Sequence, residues 1–164
     1  MGDGEVQDLE TTVYRLLKKH GYTLTTAESA TGGMIASTLI NVPGISSYYE
    51  QGYVTYSDAA KVRMISVDPD TIAQFGVVSA ETAADMAESA ARTAGTDAAL
   101  SVTGVAGPDG GTAECPVGLV YIGCFLRGTT VTERHLFSGD RMQVRTAATR
   151  AALELLCQRM EEQG

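Results

Sequence analysis

Apolar residues recur at helical spacing at Val6, Leu9, Val13, Leu16 and Leu17, and Gly21 follows Lys18, Lys19 and His20. Cations beside unpaired carbonyls and then a glycine form a helix ending, so a first helix is predicted from about residue 5 to His20. Thr23 to Ala27 is a short β-prone run. It passes through Glu28, Ser29, Ala30, Thr31, Gly32 and Gly33 into the apolar segment Met34 to Ile40. The pattern predicts a strand, a tight turn, and a helix ended by Pro43-Gly44. Tyr48 to Tyr56 reads as a second strand interrupted by Gly52, after which Ser57 caps a short helix carrying Lys61 and Met64. A further helical turn starts at Asp68 or Pro69. Ser79 with Thr82 opens an alanine-rich helix over 80–94, which Gly95 ends. Ala98 to Val102 is a buried central strand. Thr103 to Gly111, TGVAGPDGG, is too rich in glycine for regular structure. Beyond Pro116, Val117 to Leu126 and Val131 to Phe137 form a hairpin about Arg127-Gly128. Ser138 to Asp140 caps a final helix with Val144, Ala148, Ala151 and Leu155 on one face.

This order of elements predicts an α/β (α+β) sandwich, a mixed β-sheet covered by helices. With 164 residues, 44% of them hydrophobic, the chain suits a single domain over 1–164 with one continuous core. The formal charge of -8 provides no basic stripe, which argues against nucleic acid and anionic membrane as partners. A small phosphorylated substrate stays compatible, because a local group of N–H donors and one or two arginines overcomes the average field. Cys115, Cys124 and Cys157 are odd in number and widely spaced, matching neither a disulfide framework nor a zinc site. Reduced thiols, no signal-type stretch in residues 1–20 and no membrane-length apolar run lead to the expectation of a cytoplasmic protein.

Three places carry chemistry. Ser29 stands between a strand and a Gly-Gly helix start, either as an N-cap or as a nucleophile with the N–H groups of Ala30 to Gly33 as an oxyanion hole. Its turn has the mechanics of a nucleophile elbow without the G-x-S-x-G pattern. Glu28 either favours the helix N-terminus or binds a substrate hydroxyl. His20 and His135 are poorly placed as a base. Lys61 is the alternative base, provided desolvation or a neighbouring cation lowers its pKa from ~10.4 toward neutrality; otherwise it is a solvated helix lysine. Tyr56 reads as a strand-end aromatic, a proton relay or a stacking surface. The second place is the glycine loop, where Gly104, Gly107, Gly110 and Gly111 allow N–H groups to converge on an anion; it is neither a Walker loop nor a dinucleotide fingerprint. Asp109 alone is weak evidence for an ion. The third is Arg141 and Arg145, four apart on one helix face, which either clamp an anion or make surface pairs.

TTAESATGG (25–33), GYVTYSDAAKVRMI (52–65), TGVAGPDGG (103–111), PVGLVYIG (116–123) and FSGDRMQVR (137–145) together resemble the CinA C-terminal domain family over nearly the whole chain. The resemblance implies a free-standing nicotinamide mononucleotide deamidase, releasing ammonia and nicotinic acid mononucleotide without metal or redox cofactor, and a homo-oligomer. By motif it implies Ser29 as nucleophile, Lys61 as base and Tyr56 as supporting hydroxyl. It also implies a site role for Ser46 and nucleotide contacts for Thr103 and Arg145. Ala30 stands where some members carry cysteine, so a thiol mechanism at that position is excluded. The rival readings are a nucleotide- or protein-binding module without turnover, and an amidase for another small amide.

Overall fold

The computed structural model describes residues 8–164, so the part of the first predicted helix before Asp8, Val6 included, lies outside the described residues. Helix α1 is Leu9–His20, capped by Asp8, whose side chain accepts from the Thr11 N–H, and ended by Gly21 at φ +70°. Next come β1 (Leu24–Glu28), α2 (Met34–Leu39), a 3₁₀ turn (Ile45–Ser47), β2 (Tyr49–Val54), α3 (Asp58–Ile65), α4 (Pro69–Phe75) and α5 (Ala80–Ala94). They are followed by β3 (Ala98–Gly104), β4 (Leu119–Leu126), β5 (Thr129–Leu136) and α6 (Arg141–Glu162).

The five strands form one mixed sheet in the order β2-β1-β3-β4-β5. β1 pairs parallel with both β2 and β3, and β4 and β5 continue antiparallel. One face is covered by α1, α2 and α6, whose Leu17, Ile35, Leu39, Ala148 and Leu156 pack on Leu100, Val102 and Ile122. The other is covered by α3 and α5, where Ile65, Met86, Ala87 and Ala90 meet Ala27 and Ala99. β3 is buried on both faces, as its unbroken apolar character requires, and Ser101 satisfies its hydroxyl by donating to Ala83 O of α5 at 2.5 Å.

This topology selects the functional end of the sheet. The chain leaves β1 for β2 on one side, then returns past β1 to β3 over the opposite face. The segments after these parallel strands therefore diverge at the β1/β3 boundary, where an α/β sheet forms its ligand crevice. Several boundaries differ from expectation. β3 continues through Thr103 and Gly104, which the glycine pattern assigned to the loop, because both still pair with β4, and β5 starts at Thr129 and ends at Leu136. α2 stops at Leu39, before Pro43-Gly44, because the chain turns through Ile40 to Val42 into the 3₁₀ turn. β2 ends at Val54, leaving Tyr56 in the link to α3, and β4 begins at Leu119, after Gly118 has closed a turn on Val105 O.

Candidate active site

β1 runs to Glu28, so Ser29 is the first residue beyond the sheet, its N–H still bonded to Val102 O of β3 at 3.0 Å. Gly32 and Gly33 then adopt φ values of +55° and +102°, which side-chain-bearing residues rarely accept, and this reverses the chain into α2. The Gly32 N–H closes the turn on Ser29 O at 3.0 Å. Ser29 does not cap α2. That role falls to Glu28, whose buried carboxylate accepts from Thr31 Oγ1 (2.7 Å), the Ile35 N–H (2.8 Å) and the Ala36 N–H (3.1 Å). Glu28 therefore faces the first turn of α2 and not the cleft.

Lys61 reaches Ser29 from α3. Ser57 caps that helix by accepting from the Ala60 N–H, and the first turn lays the Lys61 side chain beneath the end of β2. Its Nζ donates to Thr55 O at 3.0 Å and lies 3.5 Å from Ser29 Oγ. The side chain is 1% exposed, among the largest fully buried in the protein. Burial pushes its pKa below the ordinary lysine value, and the nearby Asp58 carboxylate only partly offsets the shift. An ammonium needs three acceptors. The two oxygens named are the only hydrogen-bond partners this amine has among the described residues, an arrangement that favours the neutral form.

The two side chains sit at the floor of a cleft of about 380 Å³, a size suited to a mononucleotide-scale ligand. Ala30, Tyr56, Thr103, Gly104, Gly107, Gly110 and Arg141 line it, as does Asp109. Asp58 and the Val77-Val78 and Val105-Ala106 pairs complete the walls; Val105 and Ala106 belong to the glycine loop, whereas sequence patterning gave no signal for Asp58, Val77 and Val78. Thr103 uses its hydroxyl to hold the Val77 carbonyl at 2.8 Å. Arg141 spans the mouth, donating to Gly107 O at 2.8 Å and to Tyr56 Oη at 3.0 Å. The Tyr56 oxygen thus accepts from Arg141, and the residue is 63% exposed. A hollow of similar size at Glu88, Arg92, Thr96 and Phe125 has no nucleophile beside a base.

Other expected site residues lie elsewhere. Thr31 is fully buried against Glu28, and Gly32, Gly33 and Gly111 shape their turns without lining the cleft. Arg145 donates from Nε to Ala30 O (3.0 Å) and from Nη2 to Thr31 O (3.1 Å), so it braces the turn from behind. Ser46 is exposed on the 3₁₀ turn ahead of β2. Because β1 and β2 run parallel, that position lies at the opposite end of the sheet from Ser29 within the chain.

The CinA C-terminal domain model matches residues 6–160. The chain belongs to the CinA C-terminal domain family. It is 47% identical over 155 residues to a CinA-like protein of Kosmotoga olearia and 46% identical over 162 residues to a putative competence-damage inducible protein of Clostridium novyi. These alignments take in 94% and 99% of this chain, which spans only 37% and 39% of those relatives' lengths. A solved CinA superfamily protein from Klebsiella pneumoniae 700603 superposes with a TM-score of 0.90 at 36% identity, covering 94% of this chain and 96% of that one. One from Escherichia coli superposes at 0.87 with 34% identity, covering 96% and 94%. The mixed sheet with helices on both faces is thus the CinA family fold. Among the described residues no helix is long and apolar enough to cross a membrane, and no three His, Cys, Asp or Glu side chains gather as a metal site would require.

Proposed function

We propose that this chain is an amidase that hydrolyses the carboxamide of nicotinamide mononucleotide to nicotinic acid mononucleotide and ammonia through a Ser29 acyl-enzyme. The observation that carries the reading is the buried Lys61 amine, depressed in pKa, beside the Ser29 hydroxyl. Ser29 Oγ attacks the carboxamide carbon while its proton passes to Lys61 Nζ, a step that requires the 3.5 Å separation to shorten in the substrate complex. The carbonyl π electrons move to oxygen, where N–H donors of the Ala30 to Gly33 turn stabilise the oxyanion. As that anion collapses, the C–N bond breaks and Lys61 returns the proton to the leaving nitrogen, which departs as ammonia. Water then attacks the acyl-serine, giving its proton to Lys61, which passes it to Ser29 Oγ as the carboxylic acid leaves. Proton transfer is direct, because Lys61 Nζ is itself the group beside Ser29 Oγ.

Substrate recognition follows from charge. The pyridinium ring is cationic, draws electrons from the amide carbonyl and suits a cleft bordered by Asp58 and Asp109. At the mouth, Arg141 and the N–H groups of the glycine loop suit the phosphate. Arg141 takes that part because its guanidinium lines the cleft, whereas Arg145 is committed to the turn.

Ammonia release over a panel of pyridine amides tests the reading. Nicotinamide mononucleotide should exceed nicotinamide riboside and free nicotinamide at least ~10-fold in kcat/KM, the scale of one charge-assisted phosphate contact. Equal values for mononucleotide and riboside would remove the phosphate subsite, and no release from any member would remove the amidase.

A further inference from the structure

We infer that Arg145 is a positioning residue, which holds the peptide carbonyls of the Ser29 turn and so fixes the direction of the turn's free N–H groups beside the reacting centre, and does not touch the nucleotide. The inference rests on the amidase reading above. Its basis is the planarity of the trans peptide group, in which C=O and the following N–H point in opposite directions. The Ala30 carbonyl and the Thr31 N–H belong to one plane. Arg145 Nε fixes that carbonyl at 3.0 Å, on the α6 side of the turn, and so directs the Thr31 N–H away from α6. The Thr31 carbonyl and the Gly32 N–H form the next plane. Arg145 Nη2 holds this carbonyl at 3.1 Å, while its N–H closes on Ser29 O.

Glu28 fixes the turn from the other side and decides which donors stay free. Its carboxylate consumes the Ile35 and Ala36 N–H groups, and the Met34 N–H bonds Thr31 O. The Ser29 and Gly32 N–H groups are also used. Of the four N–H groups in residues 30–33, those of Ala30, Thr31 and Gly33 have no acceptor among the described residues. The plane that Arg145 grips first carries one of them.

A guanidinium suits this task, since its rigid fork reaches two successive carbonyls, whereas an ammonium offers one point of contact. The guanidinium lies in van der Waals reach of the turn: a methyl group on Gly32 would stand 3.5 Å from Arg145 Nη2. Arg145 is absent from the cleft walls, while Arg141, one helical turn earlier, lines them.

Arg145→Lys and Arg145→Gln in the full chain test this, with mononucleotide and riboside as parallel substrates and the melting temperature as a check on folding. The expected result for Arg145→Gln is a fall in kcat of about 100-fold, the scale of one lost oxyanion donor, with KM within a few fold. The loss should be the same factor for both substrates, and Arg145→Lys should recover only part of it. Labelling of Ser29 by a fluorophosphonate, followed by mass spectrometry, should slow in parallel, because that adduct needs the same donors. A KM that rises for the mononucleotide but not the riboside would overturn the inference and make Arg145 a phosphate ligand. Unchanged kcat and labelling rate would overturn it too. Failure of the amidase reading is separately visible, as wild-type protein that labels with the probe but releases no ammonia from any pyridine amide.

Discussion

The two glycine-containing segments that border the cleft, Glu28–Gly33 from the end of β1 and Thr103–Gly111 from the end of β3, are held in different ways. In the first, Glu28 contributes three hydrogen bonds and Arg145 two, and turn closures at Gly32 and Met34 leave little freedom. In the second, Val105 and Gly118 close the base, Arg141 holds Gly107 O, and residues 108–114 are exposed. Glycine serves different ends in the two. At Gly32 and Gly33 it permits a sharp reversal that other contacts then lock. In the TGVAGPDGG loop it leaves N–H groups open to a ligand. On the proposed amidase reading the chemistry falls on the locked side and recognition on the adaptable one, which matches the need to hold reacting groups within a fraction of an ångström.

The most severe way to break this division is to remove the reacting pair. Ser29→Ala and Lys61→Arg should each cost at least about a thousandfold in kcat, the scale for groups acting as one unit. Melting temperature after Ser29→Ala should barely change, since Glu28 and not Ser29 caps α2. Lys61→Arg keeps the charge but cannot accept a proton. Substantial activity in either variant, measured by ammonia release, would show that the base or nucleophile lies elsewhere.

A paired substitution sharpens the contrast between the segments. Glu28→Gln places an amide NH₂ among donors and should destabilise the fold by about 2–3 kcal/mol, lowering the melting temperature by several degrees. Arg141→Gln should leave that temperature within a degree or two. It should instead raise KM for the mononucleotide about tenfold, with the riboside unaffected. If Arg141→Gln destabilised as much as Glu28→Gln, the loop side would be as locked as the turn side.

The smallest effect concerns pH. Because the folded-state pKa of Lys61 is depressed, the unfolded chain binds more protons between that value and the ordinary lysine value, so stability rises with pH across this window. Below the window the folded protein must bury an ammonium. Lys61→Met should therefore be more stable than wild type at neutral and acidic pH, the gain vanishing above ~10.5, where both states hold a neutral amine. Denaturant midpoints measured across pH test the sign, and a gain that grows with pH would contradict it.

Local patterning made the fold largely legible: caps at Ser57, Ser79 and Asp140, glycine stops at Gly21 and Gly95, and the apolar run of β3 all sit where expected. Boundaries slipped where tertiary packing overrode pattern, as at Leu39 and Val54. The motif blocks brought forward Ser29 and Lys61 as a pair that spacing alone left open. What the sequence could not convey was the direction of side chains. Glu28 and Arg145 are bonded to backbone groups 8 and 115 residues away at their farthest, and such partners have no local signature. Ser46 lies at the far end because parallel pairing puts the approach to β2 there, a relation invisible until the sheet order is known. The Thr55 carbonyl, which holds Lys61, left no trace at all, since any residue supplies a carbonyl.

That bracing of the Ser29 turn by α6 also bears on the timing of synthesis. Ser29 is made early, Lys61 follows 32 residues later, and the arginine behind the turn comes 115 residues after the first carbonyl it grips. During vectorial synthesis the sheet strands and the Ser29–Lys61 pair leave the ribosome before α6 does. A nascent chain therefore carries an unbraced Ser29 turn until the helix docks, and on the proposed reading the nucleophilic hydroxyl becomes competent together with the completed hydrophobic core.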